Sequence, residues 1–597
     1  MNSKLRAALQ AVLLVLAGLW VYAPALHGPF VSDDSVEITD NADLRTLAGL
    51  GRIWWGRDST DYFPLKSTVQ WVEWHLWSDR PLGYHLVTLG LHLLSALLFW
   101  RLLQKFGVRW GWIGGLLFVL HPLAVESVAW VTELKNTLSL PWLLLALGAY
   151  ADWDESRSGR LGAPGLSVRA SYWVALGCFL LALLAKSSVV MFPALLLLYV
   201  WWKRGRISWR DGVACLPFAA AALSLALATI VFQQHRAIRG VDLHLGGLAS
   251  RAAGAGLTAV FYGAKSVAPL AMAFIYPRWT LAPVRPVLWL PGLAAGAFLV
   301  WIWSRRDRGR AARSLDFGFG WFALNLVPVL GLVPMAYLRI AWTADHLAYV
   351  SLLGILALAA AGLNRARPVL LLAVAGLCLG LAVESRRHAA DFQGEEALWT
   401  ATLRANPRTG TAHNNLGVLQ LKQHRPVDAA VEFRRAIELD PTYPEPRSNL
   451  GEALQLQGDI PGAIVQYQAA LSLSAAYDMA AYDLGLCYFA QRRYPEAEAA
   501  YRQALQFKPN FSEARNNLGV TLSRLGRYDE AIPEYRAALA IQPNYPEAEN
   551  NLGLAFAKTG RMREAVVHFE AALRLNPGYT DARHDLQTAL RLLSAPP

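Results

Sequence analysis

The chain has 597 residues, more than one domain usually holds, so at least two are expected. Hydrophobic residues make up 54% and charged residues 17%, with a formal net charge of +12. In a soluble protein that charge would suggest nucleic acid; here much of it sits in short loops between apolar segments, where the preference of basic loops for the cytoplasmic side of a membrane explains it, and nucleic-acid binding is not expected.

The first six residues, Met-Asn-Ser-Lys-Leu-Arg, lead into an apolar stretch that runs to about Ala25. Ala23-Pro24-Ala25 resembles a signal-peptide cleavage site, but proline is unfavourable there and the length of roughly 20 residues favours a retained span. Further spans are expected near 84–104, 112–131, 136–151, 171–186, 188–202, 212–232, 287–304, 317–335, 346–363 and 368–384. The piece 257–275 is ambiguous, because Lys265 and Pro269 suit an interfacial or re-entrant helix. Basic residues decide the count: Lys4 and Arg6, Lys105 and Arg109, Arg157, Arg160 and Arg169, Lys203 to Arg210, Arg305 to Arg313, and Arg365 and Arg367. All six groups fall on the cytoplasmic side if 257–275 does not cross. The expectation is therefore about eleven spans across residues 1–384, a cytoplasmic N-terminus and an outward-facing C-terminal region. In a bacterium this would be an inner-membrane protein with that region in the periplasm.

The first outer loop, about 27–83, carries Ser32-Asp33-Asp34 just beyond the first span. It also carries Trp71, Trp74 and Trp77 at a spacing that fits one face of a helix, read as lying along the membrane surface. Adjacent carboxylates at an interface gain a raised pKa if desolvated, which suits a general base; solvated loop acids or a helix cap is the plainer reading. In His121-Pro122-Leu123-Ala124-Val125-Glu126 a proline and a carboxylate interrupt an apolar run near its outer end. Ionisable groups within spans usually face a cavity and serve function. Lys186, between two expected spans, either binds an anionic headgroup or snorkels. Tyr337-Leu338-Arg339 and Asp345-His346 are candidate partners for a lipid phosphate. Four scattered cysteines are too few for a disulfide framework, and Cys178, Cys215, Cys378 and Cys487 read as packing residues. No metal-ligand cluster stands out, so neither a metal nor a cofactor is expected.

Near residue 385 the character changes. Leu416, Leu450, Leu484, Leu518, Leu552 and Leu586 recur every 34 residues, and Gly417, Gly451, Gly485, Gly519 and Gly553 follow the first five. This period and chemistry are the tetratricopeptide signature. Counting the glycine as position eight, position twenty is alanine, position twenty-four is Phe433, Tyr467, Tyr501, Tyr535 or Phe569, and position twenty-seven is again alanine. The small residues let paired helices approach while the aromatic fills the space between repeats. Pro441, Pro509, Pro543 and Pro577 close the second helices, and Ala475 breaks the series. Residues 385–411 read as a linker with a degenerate half repeat, and 412–597 as an α-solenoid of five repeats with a terminal helix. Asn415, Asn449, Asn517 and Asn551 precede the repeating leucine on the first helices. Asparagine is a poor helix former. Its recurrence points either to amide pairing with an extended acceptor peptide or to hydrogen bonds between neighbouring repeats. This ladder resembles the one in the repeat domain of intracellular O-linked N-acetylglucosamine transferase.

Several stretches together carry a wider resemblance: His121-Pro-Leu-Ala-Val-Glu126-Ser-Val-Ala-Trp130 with Glu133 and Lys135, Gly83-Tyr84-His85-Leu86, Leu184-Ala185-Lys186, and Ala344-Asp345-His346 with Tyr349. In these, and in the order of its domains, the chain resembles the transmembrane and tetratricopeptide-repeat proteins, whose animal members are protein O-mannosyltransferases of the glycosyltransferase-C fold. The resemblance implies an all-α protein, a polytopic membrane glycosyltransferase-C-like body followed by the solenoid. It also implies that Asp33 or Asp34 activates a Ser or Thr hydroxyl of an exported protein, which displaces a polyprenyl phosphate from a sugar. Glu126 would join the catalytic set, and Lys186, Arg339 and His346 would bind the lipid phosphate. The chain departs from the pattern where His346 stands for a common arginine, Ser351 for proline and Asn136 for a frequent aspartate. Two other functions fit the same layout: a non-catalytic scaffold whose repeats recruit envelope proteins, and a transferase acting on glycolipids.

Overall fold

The computed structural model describes residues 2–56, 62–157, 168–234, 245–281, 285–365, 368–474 and 477–594; Arg160, Arg367 and Ala475 of the sequence reading lie outside them. Among the described residues the regular structure is helical, with no strand. The chain divides into two compact units, Met1–Pro407 and Arg408–Pro597.

In the first unit, helices Lys4–Leu26, Pro81–Lys105, Trp209–Phe232 and Pro286–Arg308 are long and apolar enough to cross a membrane. Only 6% of the apolar window of Pro286–Arg308 is buried, and Leu290, Leu293 and Val300 face outward, a surface suited to hydrocarbon rather than water. A fifth crossing is available if Gly111–Leu120 and Pro122–Ala129, bent by 63°, count as one. The eleven expected spans are thus not established among the described residues. Other expected segments are helical but short, as with Phe192–Arg204 and Leu352–Gly362, or carry acids, as Leu134–Arg157 does at Asp152, Asp154 and Glu155. The ambiguous 257–275 piece is helical only to Val267, where Leu248–Val267 ends. Lys265 then donates to the carbonyl of Ala271 at 2.9 Å, holding the chain in its turn away from the helix.

The bend in the expected span 112–131 has a local cause. Proline at 122 cannot donate a backbone hydrogen bond, so the helix stops at Leu120. His121 repairs the break: its Nδ1 accepts from the Leu123 N–H at 3.2 Å, and its Nε2 lies 3.2 Å from the Ser266 carbonyl.

The first outer loop folds on itself. Helix Pro64–Trp77 begins with proline, which is favoured in the first turn. Trp71, Trp74 and Trp77 are half-buried against Ile38, Leu44, Tyr84 and Val131, and the Trp71 Nε1–H donates to the Thr46 carbonyl at 3.0 Å. The tryptophans therefore build a small core for the loop instead of the surface-lying face expected of them; Val72 and Leu76 are the exposed apolar side chains of this helix. Gly83 allows this packing, since a Cβ there would come within 2.1 Å of the Trp77 ring.

The second unit repeats a helix pair. First helices run Gly410–Lys422, Pro444–Leu456, Asp478–Ala490, Ser512–Arg524 and Pro546–Lys558. Their partners are Pro426–Leu439, Ile460–Leu473, Tyr494–Phe507, Tyr528–Ile541 and Met562–Leu575, and Thr580–Ser594 closes the series. The aromatic at position twenty-four belongs to one core cluster that runs through all the repeats. It lies on the glycine of its own repeat: a Cβ on Gly417 would meet the Phe433 ring at 2.6 Å, and one on Gly519 the Tyr535 ring at 2.6 Å. Alanines 429, 463, 497, 531 and 565 are fully buried beside these rings, which is why only the smallest side chains recur there.

Candidate functional site

Asp33 and Asp34 follow the first span directly, and the structure gives them opposite surroundings. Asp34 is fully buried. Its Oδ1 accepts from the Thr132 N–H and the Thr132 hydroxyl, both at 2.7 Å, and its Oδ2 accepts from the Val31 N–H at 3.0 Å. Burial pushes its pKa up to about 7, against those hydrogen bonds. Asp34 thereby ties the outer loop to the Val131–Glu133 turn. Asp33 is exposed, and its carboxylate makes no side-chain hydrogen bond among the described residues. Its pKa is also raised, by partial loss of solvent and by the Glu37 carboxylate, with Lys135 opposing. An accessible carboxylate that holds its proton more tightly than usual is a stronger base than a free aspartate.

Beside Asp33 lies a polar recess of about 300 Å³ lined in part by Glu37, Arg52, Phe63, Lys66, Gln70 and Lys135. Lys66 is buried and paired with Glu37, and Arg52 Nε lies 2.6 Å from Asp43. Helix Pro64–Trp77 buries Lys66, Gln70 and Glu73, one helical face by their spacing. Gln70 Nε2 and both Glu73 carboxylate oxygens are buried without a hydrogen-bond partner. Burial pushes the Glu73 pKa up to about 8, with Lys66 opposing. Sequence reasoning missed these three residues because the tryptophans drew the helix toward a membrane-surface role. Their spacing of four and then three was the available signal.

A second cluster is buried around Glu126. His346 holds this carboxylate twice: its backbone N–H donates to Oε2 at 3.1 Å and its ring Nδ1–H to Oε1 at 2.6 Å. On the other side of the ring, His346 Nε2 stands 3.8 Å from Glu133 Oε1. Lys135 reaches that same oxygen at 2.8 Å. The Asn136 amide donates to Glu133 Oε2 at 2.6 Å, while its carbonyl accepts from Lys186. An aspartate at 136 would set a second carboxylate against Glu133, whereas the amide serves a carboxylate and an ammonium at once. His346 likewise stands between two carboxylates, so two of the three positions that depart from the resembled pattern, 136 and 346, meet in one network.

The other predicted residues are placed less centrally. Arg339 is exposed in the short turn Ala336–Arg339, and its carbonyl accepts from Arg278 Nη1 at 3.2 Å. Asp345 is fully buried, accepts from the Tyr276 hydroxyl at 2.8 Å and lies 3.6 Å from His388 Nε2. His388 Nδ1 is 2.9 Å from Asp391. Among the described residues no group of three or more His, Cys, Asp or Glu side chains is arranged to hold a metal ion.

In the repeat unit the asparagine ladder is half-buried and bonded from repeat to repeat. Asn449 donates to Asn414 at 2.9 Å, Asn551 to Asn516 at 3.0 Å, and Asn517 to the Tyr482 hydroxyl at 3.1 Å; Asn415 accepts from its neighbour Asn414 at 3.3 Å. Asn517 also accepts from its neighbour Asn516 at 3.3 Å, and each of these amides still has donor or acceptor capacity beyond these contacts.

Models of the tetratricopeptide repeat match residues 393–444, 479–511, 500–532 and 546–579, and a further repeat model matches 524–560. Curated relatives are proteins named protein O-mannosyl-transferase. One from Caenorhabditis elegans is 29% identical over 154 residues, 23% of this chain and 22% of that protein. The mouse TMTC4 is 27% identical over 191 residues, 27% of this chain and 25% of its own length. The Xenopus laevis tmtc2 is 30% identical over 170 residues, 26% and 20% respectively. The chain thus spans a quarter or less of the length of these relatives. Among solved structures, YrrB, described as a TPR protein with an unusual peptide-binding site, is 21% identical over 32% of this chain and 97% of its own, with a TM-score of 0.30. The chain carries tetratricopeptide repeats and is similar to protein O-mannosyl-transferases.

Proposed function

We propose that the protein is a membrane glycosyltransferase of the glycosyltransferase-C type that moves a sugar from a polyprenyl-phosphate donor to Ser or Thr of exported proteins. The carrying observation is the division of labour between two adjacent aspartates. Asp34 is consumed by structure, while Asp33 stands open beside a polar recess with a raised pKa. In this reading Asp33 takes the proton of the acceptor hydroxyl as its oxygen attacks the anomeric carbon. The bond from that carbon to the phosphate oxygen breaks, and polyprenyl phosphate leaves with its electron pair. Glu126, His346 and Glu133 form the positioning network beneath, and the Lys186 ammonium group offsets charge developing on the phosphate. An apolar groove of about 740 Å³ between Leu248–Val267, Leu290–Trp303 and Arg310–Leu326 offers a seat for the prenyl chain.

The repeat unit binds the acceptor polypeptide in this reading, using the amide capacity that Asn415, Asn449, Asn517 and Asn551 retain. Residues 1–26 begin in the cytoplasm, and both Asp33 and the repeats work outside it. The scaffold reading draws on the repeat-to-repeat bonding of the same asparagines, which needs no peptide. Mass spectrometry of exported proteins separates the two: Asp33→Asn is expected to abolish hexose incorporation, and unchanged glycosylation sinks the enzyme reading.

A further inference from the structure

We infer that the recess beside Asp33 is a binding site for an uncharged sugar ring, with Gln70 as its principal hydrogen-bond donor. This rests on the proposed glycosyl transfer only for which sugar arrives there; the site itself is argued from its lining. At about 300 Å³ the recess is at the small end of ligand pockets, sized for a monosaccharide rather than a peptide.

The charges lining it are already neutralised. Lys66 pairs with Glu37, Arg52 with Asp43, and Lys135 with Glu133. A phosphate site would be expected to offer cations not yet matched by carboxylates. What this lining offers is an alternation of donors and acceptors between apolar walls at Val36, Ile53 and Phe63. Hydroxyl groups, which both donate and accept, suit such a surface.

Gln70 supplies the second observation. Its side chain lines the recess, is 2% exposed and leaves Nε2 without a partner. A buried amide donor left unsatisfied costs about 1–3 kcal/mol, a cost that a sugar hydroxyl accepting from it would remove. The amide is also held in place by the helix that sets Lys66 one turn before it.

The test uses the full chain in detergent micelles and methyl hexosides as probes, read by saturation-transfer NMR. At least one hexoside is expected to show transfer that inorganic phosphate at equal concentration does not displace. Gln70→Met is expected to weaken its binding about tenfold or more, the effect of one lost buried hydrogen bond. Ser67→Tyr, which adds a large ring to the lining, is expected to do the same and covers the case in which the Gln70 variant fails to fold. Displacement by phosphate, absence of transfer with every hexoside, or undiminished binding in a folded variant would each overturn the assignment. A wild-type protein that binds hexoside yet glycosylates no exported protein leaves the sugar site standing and removes only the transfer reading.

Discussion

His346 and Glu126, 220 residues apart in the chain, meet through two hydrogen bonds, one from the His346 backbone and one from its ring at 2.6 Å. A carboxylate buried to this degree is stable only with partners, and His346 provides both of its contacts. His346→Ala is therefore expected to lower stability by about 3 kcal/mol, the scale for stranding one member of a buried pair. His346→Gln, which keeps a side-chain donor, should lose less. Thermal unfolding of the purified protein in detergent measures both.

Asp34→Asn replaces an acceptor of three hydrogen bonds with a group that turns a donor toward one of them. The expected cost is about 1–3 kcal/mol of stability. Asp33→Asn, at an exposed position, should leave the melting temperature within a degree or two and remove only transfer. Reversed effects would exchange the roles assigned to the two aspartates.

The pH dependence of stability follows from the same residue. Burial raises the folded-state pKa of Asp34 to about 7, above its ordinary value of 3.8. The folded protein then holds this proton more tightly than the unfolded chain. The associated stability is complete below about pH 4, falls as pH rises, and is lost once pH passes about 7. Melting temperatures from pH 4 to 8 should show this decline, and Asp34→Asn should flatten it.

Gly519→Ala puts a methyl group where the Tyr535 ring already lies, 2.6 Å from the new carbon. Overpacking of this kind costs about 1–3 kcal/mol. Hydrogen exchange should rise in Ser512–Arg524 and Tyr528–Ile541 and less in the other repeats, because repeat stability is largely a nearest-neighbour property.

Asn517→Ala removes the bond to Tyr482, worth about 0.5–1.5 kcal/mol. If the ladder also grips an acceptor, replacing Asn415, Asn449, Asn517 and Asn551 together should reduce glycosylation of exported proteins while the membrane unit stays folded. Unaltered glycosylation would assign the ladder to repeat packing alone.

The repeats were legible because each side chain answers to partners within one period: leucine, glycine and aromatic recur as the packing recurs. Glu126 was legible for the opposite reason, as a residue that violates its apolar surroundings. Its attachment to His346 was not, since no spacing rule joins residues so far apart. The tryptophans of Pro64–Trp77 misled because amphipathicity reports that a face is covered without saying by what. Here the cover is Ile38, Leu44, Tyr84 and Val131 rather than headgroups. The unmatched amide of Gln70 was invisible for the same reason: polar residues of a helix are assumed wet until the fold buries them. The span count rested on hydropathy and on the placement of basic loops, neither of which says how far an interruption such as His121-Pro122 turns the chain.

That 63° break separates two tasks that one rod could not perform together. Gly111–Leu120 is uniformly apolar, and its last carbonyl, at Leu120, accepts from the Ser385 hydroxyl at 2.7 Å. Past the corner, Val125–Ala129 presents its carboxylate to a histidine and no longer has to continue the line of the preceding segment. The hydropathy that makes the run look like an anchor thus belongs to its first half, and the polar chemistry to its second. A straight helix restored by replacing Pro122 would keep every functional side chain and point Glu126 elsewhere.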